Sequence, residues 1–136
     1  MNKRCFLGGT CNGSKWRDEL ISKLKIDYFN PVVDDWNEEA YQKELYEREN
    51  CDYVLYVITP KMSSVYSIAE VVDDSNKRPQ KTIFCIIEQE EDQNYAGKFN
   101  KGQMKSLEAV GKMIEKNGAK RFKDLNSIAE YLNKGV

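Results

Sequence analysis

Asp52-Tyr53-Val54-Leu55-Tyr56-Val57-Ile58-Thr59-Pro60-Lys61-Met62-Ser63-Ser64-Val65-Tyr66-Ser67-Ile68-Ala69-Glu70-Val71-Val72-Asp73-Asp74 is the stretch whose reading decides the fold. Tyr53 to Ile58 is an unbroken apolar run rich in β-branched and aromatic residues, the pattern of a strand buried on both faces. Thr59-Pro60 ends it, because proline cannot donate to a ladder. Ser63 or Ser64 is then available as a helix N-cap. Val65, Ile68, Ala69 and Val72 recur at i, i+3, i+4 and i+7, which predicts one apolar helical stripe. The unit therefore reads strand, short loop, helix. Ser67 and Glu70 fall in the first turns, where a carboxylate meets the positive end of the helix dipole.

Ligands of an open parallel sheet bind at the carboxyl ends of its strands, which makes Glu70 the first candidate for chemistry. On a helical wheel Glu70 points nearly opposite the apolar stripe, as a solvated glutamate does. The first turn overhangs the crest of the sheet, however, so its polar side (Tyr66, Ser67, Asp73, Asp74) can face a crevice.

Outward from this unit the chain alternates strands and helices. Lys3 to Leu7 reads as a strand ending in Gly8-Gly9-Thr10, followed by turn and cap residues Asn12, Gly13 and Ser14 and a helix carrying Trp16, Leu20, Ile21 and Leu24. Asp27 to Val33 is a second strand, weakened by Pro31. Asp35 and Glu38 form a candidate capping box for a helix from about Trp36 to Arg48. Glu44, Glu47 and Glu49 are expected on its exposed face. Lys81 to Glu88 is another buried strand, Glu90 to Lys98 a polar loop. A helix over Lys101 to Lys116 carries Met104, Leu107, Val110 and Ile114 and ends at Asn117-Gly118. Arg121-Phe122 and then Leu125, Ile128, Ala129 and Leu132 predict a short last strand and a closing helix.

This alternation predicts right-handed βαβ crossovers. The expected fold is α/β, a flavodoxin-like three-layer αβα sandwich with a five-stranded parallel sheet in the order 2-1-3-4-5, and residues 1–136 are expected to form a single domain. The switch point then lies between strands 1 and 3, where Gly8-Gly9-Thr10 and the segment from Ser63 to Glu70 converge.

Composition narrows the chemistry. The 136 residues are 32% charged with a net charge of −1, which leaves no electrostatic footprint for a nucleic acid polymer or an anionic membrane. No apolar run approaches the ~20 residues of a membrane span. The opening Met-Asn-Lys-Arg-Cys-Phe-Leu is too short in apolar residues for a signal peptide, so a cytoplasmic location is expected. Histidine is absent and the four cysteines show no CxxC spacing, which removes histidine base catalysis and the usual zinc sites. No metal and no cofactor are expected. Cys5, Cys51 and Cys85 read as buried small hydrophobes. Cys11 has no histidine to activate it.

The segment from Gly8 to Lys15 does not match a phosphate loop, because Ser14 and Lys15 stand in the reverse of the required Lys-Ser/Thr order. Its glycines still permit a small ligand to approach the backbone. Asp34, Asp35 and Trp36, at the end of the second strand, also fall on the ligand-bearing edge. Trp36 is a candidate to stack on a base, and one aspartate is a candidate cap.

Taken together, Phe6-Leu7-Gly8-Gly9-Thr10, Asn30-Pro31, Cys51-Asp52-Tyr53-Val54-Leu55-Tyr56-Val57 and Ser67-Ile68-Ala69-Glu70 resemble the nucleoside 2-deoxyribosyltransferase-like family. The resemblance implies a glutamate nucleophile at Glu70 that attacks C1′ of a nucleoside or nucleotide to form a glycosyl-enzyme, after which a base or water collects the sugar. The expected substrate pocket is shaped by Gly8, Gly9, Thr10, Asp34, Asp35, Trp36, Ser64, Tyr66 and Ser67. The resemblance also implies a homodimer or higher oligomer, with Met104 or the loop before it closing a neighbour's pocket. Ser63-Ser64-Val65-Tyr66-Ser67 replaces the family's Gly-rich run and lacks its upstream aspartate, so base protonation falls to another group such as Asp34, Asp35 or Glu44. The Val57-to-Glu70 unit also resembles TIR domains, which implies NAD glycohydrolysis as an alternative. A non-catalytic nucleotide-sensing module is the third reading.

Overall fold

The structure is a computed structural model. Its described residues, 2–136, form seven strands, five α-helices and a 3-10 turn at Pro79–Lys81: β1 (Arg4–Gly9), α1 (Trp16–Ile21), β2 (Asp27–Phe29), α2 (Glu38–Asn50), β3 (Tyr53–Ile58), α3 (Tyr66–Lys77), β4 (Thr82–Ile86), β5 (Gln89–Asp92), β6 (Tyr95–Lys98), α4 (Lys101–Lys116), β7 (Lys120–Phe122) and α5 (Leu125–Leu132). The main sheet is parallel in the order β2-β1-β3-β4-β7. Counting its own five strands, that is 2-1-3-4-5, a flavodoxin-like sandwich. The chain leaves β1 for β2 on one side and returns to β3 on the other, so the switch point opens between β1 and β3.

Period-two alternation divides the core between the two faces. Cys5, Leu7, Leu55, Val57, Ile83 and Cys85 pack with Trp16, Leu20, Ile128 and Leu132 beneath α1 and α5. Phe6, Val54, Tyr56, Ile58 and Phe84 pack with Val71, Leu107 and Ile114 beneath α3 and α4. With both faces covered, the central strands read as continuous apolar runs, which is why Tyr53–Ile58 was diagnostic.

Several boundaries differ from the sequence reading. β2 stops at Phe29, with Pro31 two residues beyond its end. The α2 cap is Asn37, not the Asp35–Glu38 box: Asn37 is extended (φ −140°) and its side chain accepts the Ala40 N–H at 2.9 Å. α3 begins at Tyr66, one or two residues later than a Ser63 or Ser64 cap would start it, and carries no side-chain cap. Ser64 Oγ accepts the Tyr66 N–H in the preceding turn at 3.3 Å. The buried stripe is rotated from the expected one. Val71 is buried, Ile68 and Val72 pack partly into the core, and Val65 and Ala69 are exposed.

Residues 90–98 are not a loop. β5 and β6 form an antiparallel hairpin, with Gln89 opposite Lys98 and Asp92 opposite Tyr95. Its strands are polar and hide no apolar alternation. Side-chain bonds to the crest hold it instead: Ser14 Oγ and the Lys15 N–H donate to Glu90 Oε2 (2.7 and 3.3 Å), and Lys61 pairs with Asp92 and lies 5.0 Å from the Tyr95 ring centroid. Among the described residues, no helix is long and apolar enough to cross a membrane.

Candidate active site

At the switch point the loops above the ends of β1 and β3 line a cavity of about 280 Å³. Gly8, Gly9 and Thr10 form one wall, Val32, Val33 and Trp36 from the β2–α2 loop the mouth, and Ser63, Ser64, Tyr66, Ser67 and Glu70 the α3 side. Glu44 reaches in from α2.

The glycine wall is a close-packed turn. Gly9 has φ +117°, and a Cβ there would lie 2.1 Å from the Val57 carbonyl oxygen, so only glycine fits. Thr10 is buried and largely committed: its N–H donates to Val57 O and its Oγ1 accepts the Thr59 N–H, each at 2.9 Å. Its carbonyl accepts from Trp16 Nε1 at 2.8 Å and from Arg17 Nη1 at 2.7 Å. Arg17 also donates to the carbonyls of Leu7 (3.0 Å) and Gly9 (3.3 Å) while its guanidinium stacks 4.5 Å from the Trp16 ring centroid. A buried guanidinium with three carbonyl partners fixes the wall's shape. Burial pulls its pKa down, opposed by neighbouring Cys11 and Glu44.

Glu70 lies one turn into α3 with its side chain 11% exposed. Its nearest cation is Arg48 Nη1, 3.5 Å from Oε2, which is long for a charge-assisted hydrogen bond. Burial raises its pKa to about 7. The attraction of Arg48 opposes that rise, and the charges of Glu44, Asp74 and Asp73 add to it. Asp74, four residues on, is fully buried and fully engaged. It accepts Arg48 Nε and Nη2 at 3.1 Å each and the Tyr56 hydroxyl at 2.5 Å, and it pairs with Arg78. Burial together with the charge of Asp74 holds the Tyr56 hydroxyl well above its ordinary pKa, so it stays a neutral donor.

The sequence model of the family described as "Nucleoside 2-deoxyribosyltransferase like" matches residues 2–90, a span that contains every residue lining this cavity. The chain belongs to the nucleoside 2-deoxyribosyltransferase-like family. Membership supports glycosyl transfer at nucleosides, with a small-molecule nucleoside as substrate. No curated protein matches the chain.

Against the expectations for a member of this family, Gly8, Gly9, Thr10, Trp36, Ser64, Tyr66, Ser67 and Glu70 come together in one cavity. Asp34 and Asp35 do not: both are exposed on the β2–α2 loop and outside the lining, because β2 ends early and Asn37 takes the cap. Met104 is on the wall of a different, larger hollow of about 820 Å³ near the ends of β4 and β7. That hollow lacks Glu70, and its Arg121 is already bound to Glu108 at 2.6 Å.

Glu44 and Glu47 are not surface residues of α2. Glu47 is buried and accepts Arg4 Nε and Nη2 at 3.1 and 2.9 Å at the far end of the sheet. Glu44 lines the cavity and accepts the Trp36 indole N–H at 2.8 Å. Arg17 and Arg48 were also unforeseen. The available signal was weak: Arg48 stands four residues after Glu44, so both project from one face of α2. Among the described residues, no group of three or more Cys, Asp or Glu side chains is arranged to hold a metal.

Proposed function

We propose that the chain cleaves the N-glycosidic bond of a (2-deoxy)nucleoside or nucleotide by attack of the Glu70 carboxylate on C1′, and passes the sugar to an incoming base or to water. The observation that carries this reading is a buried carboxylate, poorly paired and facing a cavity at the switch point of the sheet. A fully paired carboxylate is a poor nucleophile, and one in bulk water is screened. Glu70 is neither. Only its ionised form attacks, and with a pKa of about 7 that form gains population through neutrality.

The other lining groups fit the rest of a nucleoside. Trp36, 58% exposed at the mouth, offers a face for the base. The hydroxyl-bearing residues Ser64, Ser67 and Tyr66 line the cavity and are available as partners for sugar hydroxyls, and the glycine turn permits close approach. A second copy of the chain would cover the exposed apolar rim of Val32, Val33, Trp36, Val65 and Tyr66. Sedimentation as a monomer at every concentration would remove that part of the proposal.

The test is incubation with deoxynucleosides and a free base, with exchanged or released base followed by chromatography. Wild type is expected to turn over and Glu70→Gln to fold yet lose turnover. Undiminished activity in Glu70→Gln rules the mechanism out. Release of nicotinamide from NAD without any deoxynucleoside turnover moves the chain to the TIR-like reading. Saturable nucleotide binding with no product from any substrate moves it to a sensor.

A further inference from the structure

Among the described residues, Arg48 is the one cation within ion-pair reach of Glu70, and it is shared. It rises from the last turn of α2 with its side chain 6% exposed and meets three carboxylates of α3. Nε and Nη2 reach the two oxygens of Asp74 at 3.1 Å each, and Nη2 also reaches Asp73 Oδ2 at 3.1 Å. Nη1 is left to Glu70 Oε2 at 3.5 Å. A guanidinium is a rigid planar fork, so fixing one edge on a carboxylate fixes where the remaining nitrogen points. Asp74 is itself pinned, by the Tyr56 hydroxyl of β3 at 2.5 Å and by Arg78 just beyond α3. None of Tyr56, Asp73, Asp74 and Arg78 lines the cavity. The 3.5 Å gap at Glu70 is therefore set from behind, by packing.

Such a gap suits a nucleophile. Attack on C1′ turns the carboxylate into a neutral ester, so an ion pair closed on Glu70 at rest would be lost in the transition state and would slow the step. With no cation beside it, a carboxylate this buried would keep its proton. On the reading that Glu70 is the nucleophile, we propose that Arg48 is its positioning residue: Asp73 and Asp74 hold the guanidinium back, so that it favours the charge on Glu70 without engaging it.

The ionisation of Glu70 near 7 agrees with this middle position, since burial raises it, Arg48 lowers it, and Glu44, Asp74 and Asp73 add to the rise. The titratable and charged groups around Glu70 are Glu44 and Arg48 from α2, Tyr56 from β3, and Tyr66, Asp73 and Asp74 from its own helix. Cys11 and Arg17 share the cavity with it. Arg17 is committed to three carbonyls, which leaves Arg48 to oppose the burial of Glu70.

Two substitutions are expected to move Glu70 in opposite directions. The acid limb of kcat/KM on a 2′-deoxynucleoside, which reports the free enzyme, is measured with the NMR titration of the Glu70 carboxyl carbon. In wild type both midpoints are expected at about 7. Arg48→Gln is expected to raise both to ~8 or above, so that kcat/KM falls ~10-fold or more at pH 6 yet recovers in alkaline buffer. Arg48→Lys keeps the charge and is expected to bring the midpoint back toward wild type. Asp74→Asn removes a negative charge and releases Arg48 toward Glu70, so both midpoints are expected to fall to ~6 or below. Activity lost in Arg48→Gln with unmoved midpoints, or midpoints that move the same way in Arg48→Gln and Asp74→Asn, assign Arg48 to packing alone and overturn the proposal. Should the Arg48 variants not fold, wild type and Asp74→Asn decide. A wild-type carbon that titrates near the ordinary 4.5, or an Asp74→Asn midpoint at or above wild type, overturns it as well. A Glu70→Gln variant that keeps turnover overturns the nucleophile reading and the positioning role with it, whereas unmoved midpoints beside an inactive Glu70→Gln overturn the positioning role alone.

Discussion

Two carboxylates four residues apart on α3 meet opposite fates. Asp74, over the middle of the sheet, has a bidentate arginine, a second arginine and a tyrosine hydroxyl, and its side chain is fully buried. Glu70, one turn nearer the crest, is nearly as buried but has one distant arginine, and its pKa rises to about 7. Arg48 touches both and gives its best geometry to Asp74. The difference separates a fully engaged carboxylate from one left short of partners on the same helix. A buried charge with every lone pair engaged fixes the α2–α3 packing, whereas one left short of partners is costly to hold and available to react.

The largest expected effect breaks the reactive side of the comparison. Glu70→Gln is expected to lower kcat by ~10³-fold or more in steady-state assays on deoxynucleosides, while Asp74 variants that fold retain measurable turnover. On the structural side, Asp74→Asn leaves Arg48 and Arg78 without their buried counter-charge. We expect a loss of about 3 kcal/mol, read as a fall of roughly 10 °C in Tm by calorimetry.

The next effect carries the sign that separates the two. The pKa of Glu70 is raised from 4.5 to about 7 on folding, so between those values the unfolded chain has released a proton that the folded chain keeps. Stability linked to Glu70 is therefore fully present below pH 4.5, falls as pH rises to 7, and is flat beyond. Glu70→Gln is expected to remove this slope and to be more stable than wild type by about 1–3 kcal/mol at pH 8, in urea titrations across the range. A gap that does not widen with pH would place Glu70 on the same footing as Asp74. The smallest effect is electrostatic: Glu44→Gln removes a neighbouring negative charge and lowers the Glu70 pKa, which carboxyl-carbon NMR would detect.

Much of the frame was legible in the sequence. The apolar run Tyr53–Ile58 and the spacing of Leu107, Val110 and Ile114 reflect burial that every strand or helix of this kind must satisfy. What escaped was polar. The hairpin at 89–98 has no apolar alternation, because Lys61 and Ser14 hold it through side chains rather than through a core. The buried Arg17 and Arg48 look in sequence like any surface arginine, since their burial depends on carbonyls and carboxylates brought in from other elements. The α2 helix has no apolar stripe to reveal which side faces inward, so Glu44 read as solvent-exposed. Asp34 and Asp35 read as crest residues because Pro31 gave no sign of how early β2 would end.

The most direct test of the central claim is to locate the sugar during turnover. Wild type mixed with a cleavable 2′-deoxynucleoside, without acceptor base, is quenched in acid within the first turnover and its peptides are examined by mass spectrometry. A deoxyribosyl ester on Glu70, absent from Glu70→Gln, is the predicted result. The same ester on Glu44, or base released with no adduct on any carboxylate, would contradict the assignment.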